Sequence, residues 1–108
     1  MPVIRLNTGR SMPLLGYGTY QIPNGPDGIA AIKQALSSGY NLLDCASFYK
    51  NEKACGSVIA SKNRSELYII SKVWNDAIFE GEDAIRKSCI NSISDLYVLL
   101  IIYCVHVL

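Results

Sequence analysis

Four short apolar runs, near residues 15, 41, 67 and 99, punctuate the chain, and the segments between them carry the period of an amphipathic helix. Strands that alternate with helices at about one β-α-β unit each imply a parallel sheet with right-handed crossovers. The expected class is therefore α/β. A parallel barrel closes only with eight such units, which takes roughly 250 residues. At 108 residues the chain holds about half of them.

The individual segments support that division. In residues 2 to 15, Asn7, Thr8 and Gly9 supply turn chemistry between Val3-Ile4-Leu6 and Met12-Leu14, which predicts a small hairpin ahead of the repeating units. Ile29, Ile32 and Leu36 recur at helical spacing, with Asp27 as the expected N-cap and Gly39 as the stop. "YNLLD" and "ELYIIS" read as strands, and between them Ala54, Val58 and Ile59 share a helix face that Asn51 would cap. Ile85, Cys89, Ile93 and Leu96 form a further helical stripe, with Glu80, Glu82 and Asp83 in the first turn, where the helix dipole favours carboxylates. The run "YVLLIIYCVHVL" is too short to span a bilayer and reads as a buried parallel strand.

Composition narrows the function classes. Half the residues are apolar, the formal net charge is +1, and Lys and Arg are scattered, so neither a nucleic-acid nor a membrane partner is expected. Cys45, Cys55, Cys89 and Cys104 form no CxxC and share no ligand spacing with the single histidine, His106. Reduced packing thiols and no metal are the expectation. The opening "MPVIRLNTG" lacks a basic stretch followed by an apolar one, so a cytoplasmic chain is expected.

In α/β architectures, functional groups gather at the carboxyl ends of strands. Asp44 ends "NLLD", Tyr49 follows in the next loop, and Lys72 ends "LYIISK". Strand alternation puts Leu42 with Asp44 on one face, and Tyr68 and Ile70 with Lys72, so the polar groups can converge. The chemistry that needs this trio is proton donation by a phenol. With an ordinary pKa of about 10 a phenol is a weak acid at neutral pH, and a cation helps by stabilising the phenolate. A carboxylate keeps that cation charged and placed. A tyrosine acid without a metal suggests carbonyl reduction, with hydride delivered by a cofactor. Taken singly, each residue has a plainer reading: Asp44 as a cap or turn former, Tyr49 as aromatic packing, Lys72 as a solvated surface charge.

The segments "LNTGRSMPLLGYGTY", "GYNLLDCASFYKNEKACG" and "LYIISKVWN", in that order, resemble the N-terminal part of the aldo-keto reductase family. The resemblance implies a partial (β/α)8 TIM barrel of about four β/α units over residues 1 to 108. It further implies NADPH bound without a Rossmann motif and reduction of a small-molecule carbonyl substrate. "GYGTYQ" begins like GxGxxG, but Gln21 stands at the third glycine. By position, the resemblance makes Tyr49 the proton donor, Lys72 its cationic partner and Asp44 the partner of Lys72. Gly18, Thr19 and Tyr20, with Asp44, fall near the nicotinamide. Tyr20, Phe48 and Trp74 would wall an apolar or aromatic substrate, although Trp74 reads equally well as core packing.

The resemblance weakens after Leu96. The family's fourth catalytic residue is a histidine closing the fourth strand. His106 stands at almost that place, as a catalytic and substrate-binding candidate or as a chance polar residue. One residue fewer follows Leu96, and Val107-Leu108 replaces Trp-Pro. A truncated barrel is expected, inactive by itself because the family's later strands hold much of the cofactor. The alternative function is self-association or hetero-association through exposed strand edges.

Overall fold

The computed structural model describes residues 2–98 and 102–105. Strands β1 (Val3–Arg5) and β2 (Ser11–Pro13) form the expected antiparallel hairpin, with Val3 opposite Pro13 and Arg5 opposite Ser11. Gly9 closes it at φ 82°, a left-handed conformation that glycine adopts without strain.

The other strands are β3 (Tyr17–Gly18), β4 (Leu42–Asp44), β5 (Tyr68–Val73) and β6 (Ile102–Val105), parallel and ordered β3-β4-β5-β6. Each pairs with the next in sequence, as alternating strands and helices require. The intervening helices are α1 (Pro26–Ser37), α2 (Glu52–Ile59), α3 (Asn75–Glu80) and α4 (Glu82–Asp95). The architecture is α/β, with the hairpin ahead of the parallel sheet.

Helix boundaries differ from the sequence reading in three places. The N-cap of α1 is Gly25; Asp27 lies in the first turn, and Pro26 occupies the position where its missing N–H costs nothing. Gly39 does end α1, at φ 106°, with its N–H on Leu36 O and the Tyr40 N–H on Ala35 O, a Schellman closure. Asn51 stands at the N-cap of α2, yet its side chain makes no capping bond. Glu80 belongs to the end of α3, a short helix without apolar periodicity, so only Glu82 and Asp83 sit in the first turn of α4.

Burial follows the strand pleat. Along β5, Ile69, Ser71 and Val73 are buried, whereas Tyr68, Ile70 and Lys72 are half-buried. Leu43 and Ile69 pack with Ile32, Ala54, Val58 and Ile59 in one core between the sheet and the helices. Cys45 and Cys55 are free thiols in the same core, and Cys89 is free and half-buried. A hydrogen bond with Cys55, then burial, holds the Cys45 thiol well above the ordinary cysteine range, and the same hydrogen bond lowers that of Cys55. The opposite sheet face carries Tyr68, Ile70 and Lys72 away from that core.

One buried carboxylate ties three elements. Glu52, at the start of α2, accepts from Ser71 Oγ of β5 at 2.5 Å and from Ser92 Oγ of α4 at 2.8 Å. Burial raises its pKa and Asp95 adds to the rise, against the two serine hydrogen bonds and Lys50. The helices also touch at Gly56, where a Cβ would stand 1.9 Å from the Asp95 carbonyl oxygen.

Two expectations follow. Because the folded pKa of Glu52 lies above its unfolded value, its contribution to stability is fully present below the unfolded pKa and is lost as pH rises through the folded one. Glu52→Gln cannot ionise, so denaturant titrations of the two proteins should show the variant lacking that decline above about pH 4.5; parallel profiles would refute the assignment. Gly56→Ala should lower stability by about 1–3 kcal/mol through overpacking. Gly18→Ala, whose Cβ meets nothing within 4 Å, should leave the unfolding midpoint unchanged or slightly higher.

Candidate active site

The register of β4 and β5 sets the central contact. Asp44 pairs with Ile70, and Lys72 stands one same-face step further along β5, so its long side chain can lean back over the end of β4. There the ammonium forms an ion pair with Asp44 Oδ1. It also donates to Cys45 O at 2.9 Å and to Tyr49 Oη at 3.4 Å. An ammonium has three protons, and these three acceptors match them. Burial alone would lower the Lys72 pKa. The hydrogen bond and charge of Asp44, with a smaller share from Tyr49, outweigh it and leave the pKa raised, so the side chain is a cation at neutral pH.

Tyr49 reaches this point because the chain doubles back after β4. Cys45 and Ala46 are buried, and a 3₁₀ turn over Ser47–Tyr49 then reverses direction. Tyr49 N–H closes on Ala46 O at 3.1 Å, Ser47 Oγ donates to Lys72 O at 3.1 Å, and Lys50 leaves the turn at φ 57°. The five-residue spacing from Asp44 to Tyr49 is the length of this return. The Lys72 ammonium also lies 5.2 Å from the Tyr49 ring centroid.

The loop after β3 approaches from the other side. Thr19 is fully buried; its N–H and hydroxyl both donate to Asp44 O, at 3.1 and 3.0 Å. Its role here is to hold the end of β4, while Gly18 and Tyr20 remain on the surface. The Tyr20 ring lies 5.1 Å from that of Tyr49. Phe48 and Trp74 stack at 4.1 Å with 19° between planes. The three expected aromatic walls thus fall into two pairs, and Trp74, half-buried against Phe48, lies outside the hydrophobic core. His106 lies outside the described residues.

A cavity of about 720 Å³ lies beside this centre, lined by Phe48, Trp74, Lys50, Glu52 and residues of α3 and α4. Asp44, Tyr49 and Lys72 do not line it. They are grouped instead at the bare face of the sheet, at the strand ends. Sequence reasoning placed Asp44, Tyr49 and Lys72 together, but missed the carbonyl of Cys45, the Ser47 brace and the inward turn of Asn51. The paired polar residues Asn51-Glu52, directly after Tyr49, were the available signal: both are buried.

Of the four residues expected near a nicotinamide, Gly18, Tyr20 and Asp44 are accessible, whereas Thr19 is fully buried beneath Asp44 O. Gly18 leaves open space where a Cβ would stand, and the Asp44 side chain is 43% exposed despite its ion pair, free to accept from hydroxyl or amide donors.

The sequence model of the Aldo/keto reductase family matches residues 14–99. Methylglyoxal reductase DkgA of Escherichia coli (strain K12) is 43% identical over 88 residues, 80% of this chain and 32% of that protein. Thus the chain spans about a third of the length of that relative. Among solved structures, the aldo/keto reductase from Brucella melitensis matches with a TM-score of 0.87 and 31% identity, covering 97% of this chain and 41% of its own. The Bombyx mori aldo-keto reductase in complex with NADP matches with a TM-score of 0.83 and 27% identity, covering 97% of this chain and 38% of its own. These neighbours make the β/α units described above part of a (β/α)8 barrel. By family match, sequence identity and fold together, the chain belongs to the aldo/keto reductase family.

Proposed function

We propose that the chain carries the proton-donating part of a site that reduces aldehydes and ketones to alcohols with NADPH. The observation that supports this most directly is the Lys72 ammonium, whose protons meet Asp44, Cys45 O and the Tyr49 hydroxyl. In this reading the substrate carbonyl oxygen accepts a hydrogen bond from Tyr49 Oη. NADPH, when bound, supplies hydride to the carbonyl carbon. As charge grows on the oxygen, Tyr49 transfers its proton there, and the phenolate left behind faces the Lys72 cation. Asp44 keeps that cation placed and charged. Gly18, Tyr20 and Asp44 would hold the nicotinamide end of the cofactor. The two aromatic pairs suit an apolar or aromatic substituent on the carbonyl.

Residues 14–99, grafted in place of the matching segment of the Escherichia coli relative, should give a protein that oxidises NADPH in the presence of methylglyoxal or benzaldehyde. Tyr49→Phe in that graft should lower kcat by about 10²- to 10⁴-fold, the range for general acid catalysis. A variant within a few-fold of the parent would rule Tyr49 out as the acid. Asp44→Asn should lower kcat and move the alkaline limb of the pH profile to lower pH, because Asp44 is what raises the Lys72 pKa against burial.

The 108-residue chain alone should not turn over. Barrel active sites draw on eight strand ends, and four parallel strands are described here. Carbonyl-dependent NADPH oxidation by the purified chain, abolished by Tyr49→Phe, would overturn that expectation.

A further inference from the structure

Asn51 follows the candidate acid by two residues, is fully buried, and does not cap the helix it precedes. Its Nδ2 group instead donates to Thr19 O at 2.7 Å and to Ile22 O at 2.9 Å. Those carbonyls belong to the first and last residues of one tight turn, closed by the Ile22 N–H on Thr19 O at 3.1 Å. Gln21 within that turn is left-handed at φ 65°, a conformation that favours glycine and strains a side-chain-bearing residue. The fourth member, Tyr20, projects its ring to 5.1 Å from Tyr49.

We propose that Asn51 is a positioning residue, whose amide clamps the strained turn of residues 19–22 and thereby holds the Tyr20 ring against Tyr49. The chemistry at this position is restrictive. Two carbonyl oxygens converge on one nitrogen, so the side chain must offer two protons from a single atom at short reach; a carboxylate or hydroxyl cannot. Reversing the amide would press its oxygen against both carbonyls. Among the described residues Asn51 Oδ1 has no hydrogen-bond partner, so its donor is fully used while its acceptor is not. Thr19 extends the clamp, since its N–H and hydroxyl both hold Asp44 O. Asn51 therefore ties the turn to the candidate acid through its own chain and to the lysine's carboxylate partner through Thr19. On the reductase reading, this fixes one wall of the carbonyl pocket.

The test is solution NMR on the 108-residue chain. In the unsubstituted protein, the Asn51 side-chain amide protons should be protected from solvent exchange, and nuclear Overhauser contacts should link the Tyr20 and Tyr49 rings. Asn51→Ala should abolish the ring contacts while those within the core, such as Leu43 to Val58, persist; adding Gln21→Gly should restore them in part by removing the strain. Ring contacts undiminished in a folded Asn51→Ala variant would overturn the proposal. So would freely exchanging Asn51 amide protons in the unsubstituted chain, a result that needs no variant to fold. Neither readout depends on turnover, so the clamp and the reductase reading can fail separately.

Discussion

The site depends on where one ammonium group can go. Lys72 sits at the end of a strand with four methylenes between its backbone and its charge, and the half-buried sheet face offers few partners for a cation. Asp44 Oδ1, Cys45 O and Tyr49 Oη accept its three protons, and all three come from the single segment that leaves β4. Burial pulls the Lys72 pKa down and Asp44 more than offsets it, so the charged form is retained beside the phenol. A cation so placed answers why a carboxylate and a tyrosine stand five residues apart. Both converge on a lysine supplied by the neighbouring strand.

The segment from Asp44 to Glu52 divides its polar groups among different neighbours. Asp44 faces Lys72, Ser47 braces the Lys72 carbonyl, Asn51 turns to the loop after β3, and Glu52 turns to β5 and α4. Three of these contacts end on β5 and the others on the loop after β3 and on α4, so the 3₁₀ turn carrying Tyr49 is braced from both sides. Buried polar groups cost stability unless satisfied, and their concentration in nine residues marks a stretch that packing alone does not explain.

The strand order and the convergence of Asp44, Tyr49 and Lys72 were legible because they follow from periodicity. Apolar runs at β-α-β spacing give parallel neighbours, and the pleat puts Asp44 and Lys72 on the same face. What escaped sequence reading was set by tertiary partners. Asp27 looks like a cap, but with Pro26 as the first helical residue the cap falls at Gly25, two residues earlier. Asn51 has the right position for a cap and a better use for its amide, because two carbonyls lie within reach only after the chain folds. Helix α3 has no apolar period to announce it, since none of its residues is buried. Phe48 and Trp74 were expected beside Tyr20. Their stacking follows from the course of the 3₁₀ turn, which no local pattern encodes.

The grouping of Asp44, Tyr49 and Lys72 is local in a way that the proposed cofactor binding would not be. Two adjacent parallel strands and one turn suffice to bring Asp44, Tyr49 and Lys72 together, and the register that aligns them is fixed by backbone pairing over β4 and β5. The third strand adds Thr19, which holds the Asp44 carbonyl from behind. On the proposed reading, by contrast, a bound dinucleotide would draw on groups spread around the rim of a barrel. The Asp44, Tyr49 and Lys72 cluster is set by β3, β4 and β5, whereas the proposed reduction would draw on the wider rim. That separation of a compact chemical centre from a distributed binding surface follows from the fold itself, because neighbouring strands share a register but opposite sides of a barrel meet only on closure.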